Sequence, residues 1–340
     1  MDITQLERTA RALVAPGKGI LAADESTSTI TKRFESIGID STEENRRAYR
    51  EMLFTTPGME QFISGVIMFD ETIRQSTAGG VAMTKVLESA GVIPGIKVDE
   101  GAKPLAGFPG ETVTEGLDGL RERLTEYREL GARFTKWRAV ITIGAGIPTQ
   151  NCIDANAEAL ARFAALSQEL GLVPIVEPET LMDGDHTIGR HYDATRRTLE
   201  ACFDRLFAHR VELTGTLLKT NMVLSGKSAH EQAGVEEVAQ WTLRALRECV
   251  PAAVPGIVFL SGGQSDEAAT AHLSELNRVG GVPWQLSFSY GRGLQAPALK
   301  AWAGKGDNVA AGQRALYHRA KLNGAARTGS YTPDMEDAAA

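Results

Sequence analysis

Short apolar runs alternate with helical periods along almost the whole chain. The runs fall at 19–24 (GILAAD), 63–69 (ISGVIMF), 92–98 (VIPGIKV), 134–141 (FTKWRAVI), 172–179 (LVPIVEPE), 215–222 (GTLLKTNM), 256–263 (GIVFLSGG) and 284–291 (WQLSFSYG). Each is too short for a core helix, most are rich in Val, Ile, Leu or Phe, and Gly or Pro bounds them. Each therefore reads as a buried parallel strand. Between the strands, Leu117, Leu120, Leu124 and Tyr127 recur at three- and four-residue steps, with Thr114 as N-cap and Gly131 as stop. Ala157, Leu160, Ala164 and Leu170 form a second stripe closed by Gly171, and Val238, Trp241, Ala245 and Cys249 a third ended by Pro251.

Eight strand–helix units in succession predict a single-domain α/β fold, a (β/α)8 TIM barrel over residues 1–326. A doubly wound open sheet would carry G-x-G-x-x-G after its first strand, whereas this strand runs into Ala22-Ala23-Asp24-Glu25-Ser26. Residues 327–340 hold few large apolar side chains and read as a flexible C-terminal tail.

Charges interrupt the apolar strands at particular places. Asp24 ends the first, Lys97 lies near the end of the third, Lys136 and Arg138 sit in the fourth, Glu177 and Glu179 close the fifth, and Lys219 occupies the sixth. Side chains alternate faces along a strand, so Lys136 and Arg138 share a face, as do Glu177 and Glu179. An ionised group against packed helices would be desolvated without a partner. The barrel axis near the C-terminal mouth, where barrel active sites are built, is where these opposite charges can meet. Lys219, flanked by Leu217 and Leu218 and with Lys136 and Arg138 as neighbouring cations, is expected to have a depressed pKa and to act as an amine nucleophile on a carbonyl. Glu177 and Asp24 are then the candidates for moving protons. Two glycine-rich turns, Ser261-Gly262-Gly263 and Ser289-Tyr290-Gly291-Arg292, follow the last two strands, where barrels commonly bind phosphate. The residues point to an enzyme acting on a phosphorylated carbonyl compound through an imine.

Composition narrows the classes further. Apolar residues make up 43% and charged residues 23% of the 340, an ordinary globular balance. With 36 basic against 43 acidic residues the net charge is −7, which argues against nucleic acid and anionic membrane as partners. Cys152, Cys202 and Cys249 are widely spaced and read as reduced thiols. Asp183, Asp185, His186 and His191 are the nearest approach to a metal cluster but read as a polar loop, so no metal or other cofactor is expected. The first residues lack the apolar core of a signal peptide, and a cytoplasmic location is expected.

The sequence resembles class I fructose-1,6-bisphosphate aldolases of the animal and plant type. The resemblance rests on GKGILAADEST from Gly17, STEENRRAYR from Ser41, GIKVDEGAKPLAG from Gly95, GLDGLRERL from Gly116, KWR at Lys136, IVEPE at Ile175 and DGDH at Asp183. It continues through GTLLKTNMV from Gly215, FLSGGQS from Phe259, SFSYGRGLQAPALKAW from Ser287 and YTP at Tyr331. It implies reversible cleavage of fructose 1,6-bisphosphate to dihydroxyacetone phosphate and glyceraldehyde 3-phosphate, with no cofactor. By resemblance, Lys219 forms the Schiff base, Glu177 is the general acid/base oriented by Lys136 and Glu179, and Asp24 acts at the C4 hydroxyl. Ser261, Gly262, Gly291 and Arg292 match the C1-phosphate site, in the same turn as Ser289; Ser26, Thr29 and Lys97 match the C6-phosphate side, with Arg138 nearby. Family members are commonly tetrameric, so a homo-oligomer is expected. Two departures stand out: Thr220 follows the lysine where the animal enzymes have proline, and Tyr331 matches an upstream tyrosine rather than the family's terminal one. A transaldolase-like transfer and a scaffold role on the same frame are the rival readings.

Overall fold

A computed structural model describes residues 2–337. Eight parallel strands close into a barrel in chain order: β1 (Gly19–Ala23), β2 (Ile63–Met68), β3 (Ile93–Lys97), β4 (Phe134–Ile141), β5 (Val173–Thr180), β6 (Leu217–Thr220), β7 (Gly256–Phe259) and β8 (Gln285–Tyr290). β1 pairs with both β2 and β8, which closes the ring. Every predicted strand is present. β6 and β7 are shorter than their apolar runs, because Gly215 belongs to a 3-10 turn, Leu213–Gly215, and the chain leaves the sheet after Thr220 and Phe259.

Strand alternation separates two cores. Ile20, Ala22, Ile67, Phe134, Val173, Ile175, Leu217 and Val258 point to the axis and pack with Leu6, Ala10, Leu13 and Val14 of the N-terminal segment, whose helix Ile3–Leu13 stops the bottom of the barrel. The alternate residues, among them Leu21, Val66, Ile96, Trp137, Val176, Leu218, Ile257 and Phe288, face the surrounding helices. The axial space is tight: a Cβ added to Gly95 would lie 2.3 Å from the Phe134 ring, and one on Gly256 would lie 2.6 Å from Val14. Glycine is required there by close approach. The axial faces thus start apolar at the bottom and end in the charges noted above.

Two of the three helical stripes form helices with the expected ends. Gln150–Glu169 is capped by Thr149, whose hydroxyl accepts the Cys152 N–H at 3.2 Å, and Gly171 beyond it has φ +73°. Val235–Cys249 stops ahead of Pro251. The third needs a correction. Helix Leu120–Glu129 begins after Gly119 in a left-handed conformation, not after Thr114. Thr114 lies in a small antiparallel ribbon, Ala102–Pro104 with Thr112–Thr114, and donates to the Arg138 carbonyl at 2.7 Å. The threonine is used to fasten the ribbon to β4.

In the terminal segment, Arg327 is buried and donates to the carbonyls of Val14 and Lys18, both at 2.9 Å. Glu336 pairs with buried Arg319 at 2.6 Å and accepts the Tyr331 hydroxyl at 2.8 Å. The last part of the expected tail, 338–340, lies outside the described residues.

Candidate active site

The axial faces of five strands bring their charges together at the C-terminal mouth. Lys219 Nζ of β6 lies 3.1 Å from Glu177 Oε1 of β5. Glu177 Oε2 lies 3.2 Å from Lys136 Nζ of β4, and the same ammonium is 2.6 Å from Asp24 Oδ2 just beyond β1. Lysine, glutamate, lysine and aspartate therefore alternate in sign along one line, Lys219–Glu177–Lys136–Asp24. Lys136, Glu177 and Lys219 are each 5% exposed or less, so this is a desolvated ionic cluster in which the partners compensate one another. The register of β4 on β5 sets Arg138 opposite Glu177, and the Arg138 guanidinium pairs with Glu179. Lys97 pairs with Asp99 at 3.1 Å, and Asp99 also accepts the Arg138 backbone N–H at 3.1 Å.

The charge states follow from these contacts. Burial alone would raise the Asp24 and Glu177 carboxyls, but Lys136 and then Lys219 outweigh it, and both sit below the usual carboxylate range. Burial likewise works against the Lys136 ammonium, yet Asp24 and Glu177 hold its pKa above the ordinary lysine value. The sequence reading set cations around Lys219. Its nearest charged contact is instead the Glu177 carboxylate. A proton leaving the amine thus has an acceptor in place, which is the geometry needed for an amine to attack a carbonyl and for the resulting hydroxyl to be protonated.

The glycine-rich turns lie on the same rim. Ser261 Oγ accepts the Gly293 N–H at 3.3 Å, and Arg292, opening the helix Arg292–Trp302, donates to the Gln264 carbonyl at 3.4 Å. Ser289 Oγ is buried and has no hydrogen-bond partner among the described residues. Ser26 precedes the helix Thr27–Glu35, and its hydroxyl lies 3.1 Å from those of Ser28 and Thr29. Hydroxyls and helix starts of this kind suit phosphate oxygens. A cavity of about 130 Å³ opens beside Arg138, Glu179, Gly262 and Gly263. Of Asp183, Asp185, His186 and His191, the two histidine rings pack edge to face at 5.1 Å, and no three His, Cys, Asp or Glu side chains among the described residues are placed to share a metal ion.

Sequence reasoning missed a second buried charge group behind the first. Glu25, next to Asp24 but on the opposite face, pairs with Arg33 and with Arg50 at 2.7 Å and accepts Gln295 Nε2 at 2.8 Å. Tyr49 donates to Gln295 at 3.0 Å. Arg33 faces the Gly291 turn, its Nη2 lying 3.9 Å from where a Cβ on Gly291 would be. A carboxylate directly after Asp24, four arginines within the next helices and a glutamine at 295 carried the only signal, and nothing local paired them.

Fold and site together define a (β/α)8-barrel enzyme with a buried lysine–carboxylate centre at its mouth. A family model described as fructose-bisphosphate aldolase class-I matches residues 5–340. A probable fructose-bisphosphate aldolase class 1 of Xanthomonas campestris is 61% identical, over 97% of this chain and 99% of its own length. A cytosolic fructose-bisphosphate aldolase of Arabidopsis thaliana is 55% identical, over 94% and 82%. The solved structure of the fructose-bisphosphate aldolase of Plasmodium falciparum superposes with a TM-score of 0.96 at 48% identity, covering 97% of this chain and 95% of that one. The chain belongs to the class I fructose-bisphosphate aldolase family, and its activity is that of this lyase.

Proposed function

We propose that cleavage of fructose 1,6-bisphosphate proceeds through an imine on Lys219, with Glu177 and Asp24 moving the protons. The line Lys219–Glu177–Lys136–Asp24, with contacts of 3.1, 3.2 and 2.6 Å, carries this reading. Glu177 takes a proton from the Lys219 ammonium 3.1 Å away, and the freed amine adds to the C2 carbonyl and passes a second proton to its oxygen. Glu177 returns its proton to the departing hydroxyl, so that water leaves and an iminium forms. Asp24 takes the C4 hydroxyl proton as the C3–C4 bond breaks, releasing glyceraldehyde 3-phosphate. The bonding electrons pass into the iminium and give an enamine. Protonation at C3 and hydrolysis of the imine then release dihydroxyacetone phosphate and restore Lys219.

Lys136 holds both carboxylates ionised and at fixed positions. Glu179 contacts Arg138 rather than Glu177, so its effect on Glu177 passes through the guanidinium. Arg292, with Ser261, Gly262, Ser289 and Gly291, is the C1-phosphate side of this reading. Ser26, Thr29, Lys97 and Arg138 form the C6-phosphate side. Both ends of the substrate are thereby anchored, and the reacting carbonyl is presented to Lys219.

The partners in this reading are small sugar phosphates, and the chain assembles as a homo-oligomer, a tetramer by resemblance. A relative named cytosolic supports the same location here; no helix among the described residues is long and apolar enough to cross a membrane. The test is Lys219→Met. It should abolish cleavage while retaining binding of the reduced, carbonyl-free hexitol bisphosphate. Substantial cleavage by this variant would remove Lys219 from the reaction, and sedimentation as a monomer would remove the assembly.

A further inference from the structure

The backbone ladder between β5 and β6 ends below the site. The paired residues are Ile175 with Leu217 and Val176 with Leu218. Glu177 and Lys219, the next residue on each strand, therefore sit beyond the last paired position, although their side chains must stay 3.1 Å apart. Each strand stays paired on its other side, β5 to β4 as far as Thr180 and β6 to β7 as far as Thr220. Only the direct β5–β6 link is missing at this level, and a small change in spread there would be felt directly by that contact.

Side chains rejoin the strands above the gap. Asn221, two residues after Lys219, accepts the Thr180 main-chain N–H and the Thr180 hydroxyl, each at 2.9 Å. Its amide nitrogen donates to Thr195 Oγ1 and to His191 Nε2, each at 3.1 Å. His191 Nδ1 donates in turn to the Leu224 carbonyl at 2.9 Å, and the Thr195 hydroxyl donates to Thr180 Oγ1 at 2.8 Å. The Thr180 hydroxyl also lies 2.9 Å from His191 Nε2, so its one hydrogen is shared between that nitrogen and Asn221, and the Leu224 main-chain nitrogen lies 3.1 Å from Nδ1. All four side chains are 4% exposed or less. Thr180 closes β5, Asn221 follows β6, and His191 and Thr195 belong to the helix Ile188–Ala208, so three elements are fastened at one point. The imidazole stays neutral: burial lowers its pKa to about 4. A neutral ring suits the arrangement, because an imidazolium would turn two N–H groups toward Asn221 and Leu224 and lose an acceptor.

We propose that Asn221, Thr180, Thr195 and His191 form a clamp that replaces the missing ladder and sets the Glu177–Lys219 distance, making them positioning residues for imine formation. Thr180, His191 and Asn221 also line the wall of the cavity beside Arg138, Glu179, Gly262 and Gly263, and bisphosphate binding measured beside the labelling rate separates positioning from direct contact. Removing a link should leave phosphate anchoring in place and slow the step that uses the Glu177–Lys219 contact. A misplacement on the order of 1 Å can cost about 100-fold in such a step.

This inference rests on Lys219 being the imine-forming residue, and the experiment separates the two. The rate of imine formation with dihydroxyacetone phosphate is followed by rapid quenching into borohydride and mass mapping of the label, in the full-length chain. Binding of carbonyl-free hexitol bisphosphate and the melting temperature are measured beside it. Asn221→Ala and His191→Leu should slow labelling about tenfold or more with bisphosphate binding unchanged, so that kcat falls and KM does not rise. His191→Gln, able to accept from Asn221 and donate to the Leu224 carbonyl, should recover most of the rate. Should Asn221→Ala fail to fold, Thr180→Val decides, since it keeps the main-chain link and loses only the hydroxyl; it too should slow labelling. Unchanged labelling in the folded variants, whatever their melting temperatures, overturns the clamp. Absence of label on Lys219 in the unmodified enzyme overturns the imine assignment instead.

Discussion

Lys136→Met isolates the ammonium that joins the two halves of the site. Lys136 is 3% exposed and lies 2.6 Å from Asp24 and 3.2 Å from Glu177, so the substitution leaves two buried carboxylates without their shared cation. Breaking a buried pair in this one-sided way costs about 3–5 kcal/mol. For a chain of this size each kcal/mol corresponds to roughly 1.4 °C, so the melting temperature should fall by about 4–7 °C. Lys219 remains near Glu177, which limits the loss on that side, whereas among the described residues Lys136 is the one cation paired with Asp24. Adding Asp24→Asn should therefore recover part of the lost stability, because the uncompensated charge is then gone. Activity should drop independently of stability: with Lys136 absent, burial raises both carboxyl pKa values and removes ionised base, and loss of positioned proton transfer costs about 100- to 10,000-fold in kcat. Denaturant melts of the single and double variants, with initial-rate cleavage assays, measure both effects. A Lys136→Met protein with unchanged stability and rate would refute the buried cluster as the organising feature of the site.

Other outcomes follow from the same geometry. Arg292→Ala should weaken dihydroxyacetone phosphate binding, with its largest effect in KM, because a phosphate clamp acts in ground and transition states alike; unchanged binding would show that the phosphate side has been misassigned. EDTA should leave cleavage unchanged, since the iminium serves as electron sink; loss restored by zinc would reject the imine route. Acid should destabilise the protein in a defined window. Burial lowers both His191 and His272 from 6.5 to about 4. Below pH 6.5 the unfolded chain gains protons that the folded one refuses, so stability falls as pH drops from 6.5 to about 4, by about 3 kcal/mol per histidine. His191→Gln should remove about half of that slope in pH-dependent melts, and an unaltered slope would contradict it.

Features repeated along the chain were legible before the fold was known. Apolar runs bounded by Gly and Pro located all eight strands, and alternation within them put Lys136 and Arg138, and Glu177 and Glu179, on the axial face. Opposite charges on separate strands could then meet only at the mouth. Features built from distant partners were not legible. Glu25 lies one residue from Asp24, yet its partners Arg50 and Gln295 come from helices far away in sequence. His191 looked like part of a polar loop because the residues that satisfy it, Asn221 and Leu224, follow another strand. Thr114 had the chemistry of a cap, but the tertiary hydrogen bond to Arg138 took precedence over its local option.

The account depends most on Lys219 being the amine that carries the substrate. Dihydroxyacetone phosphate and borohydride, added together to the unmodified enzyme, convert an imine into a stable secondary amine at the residue that formed it. Peptide mapping should then show one label per chain, on Lys219, with loss of activity in proportion to labelling. A label on Lys136 or Lys97, or inactivation without any label, would contradict it.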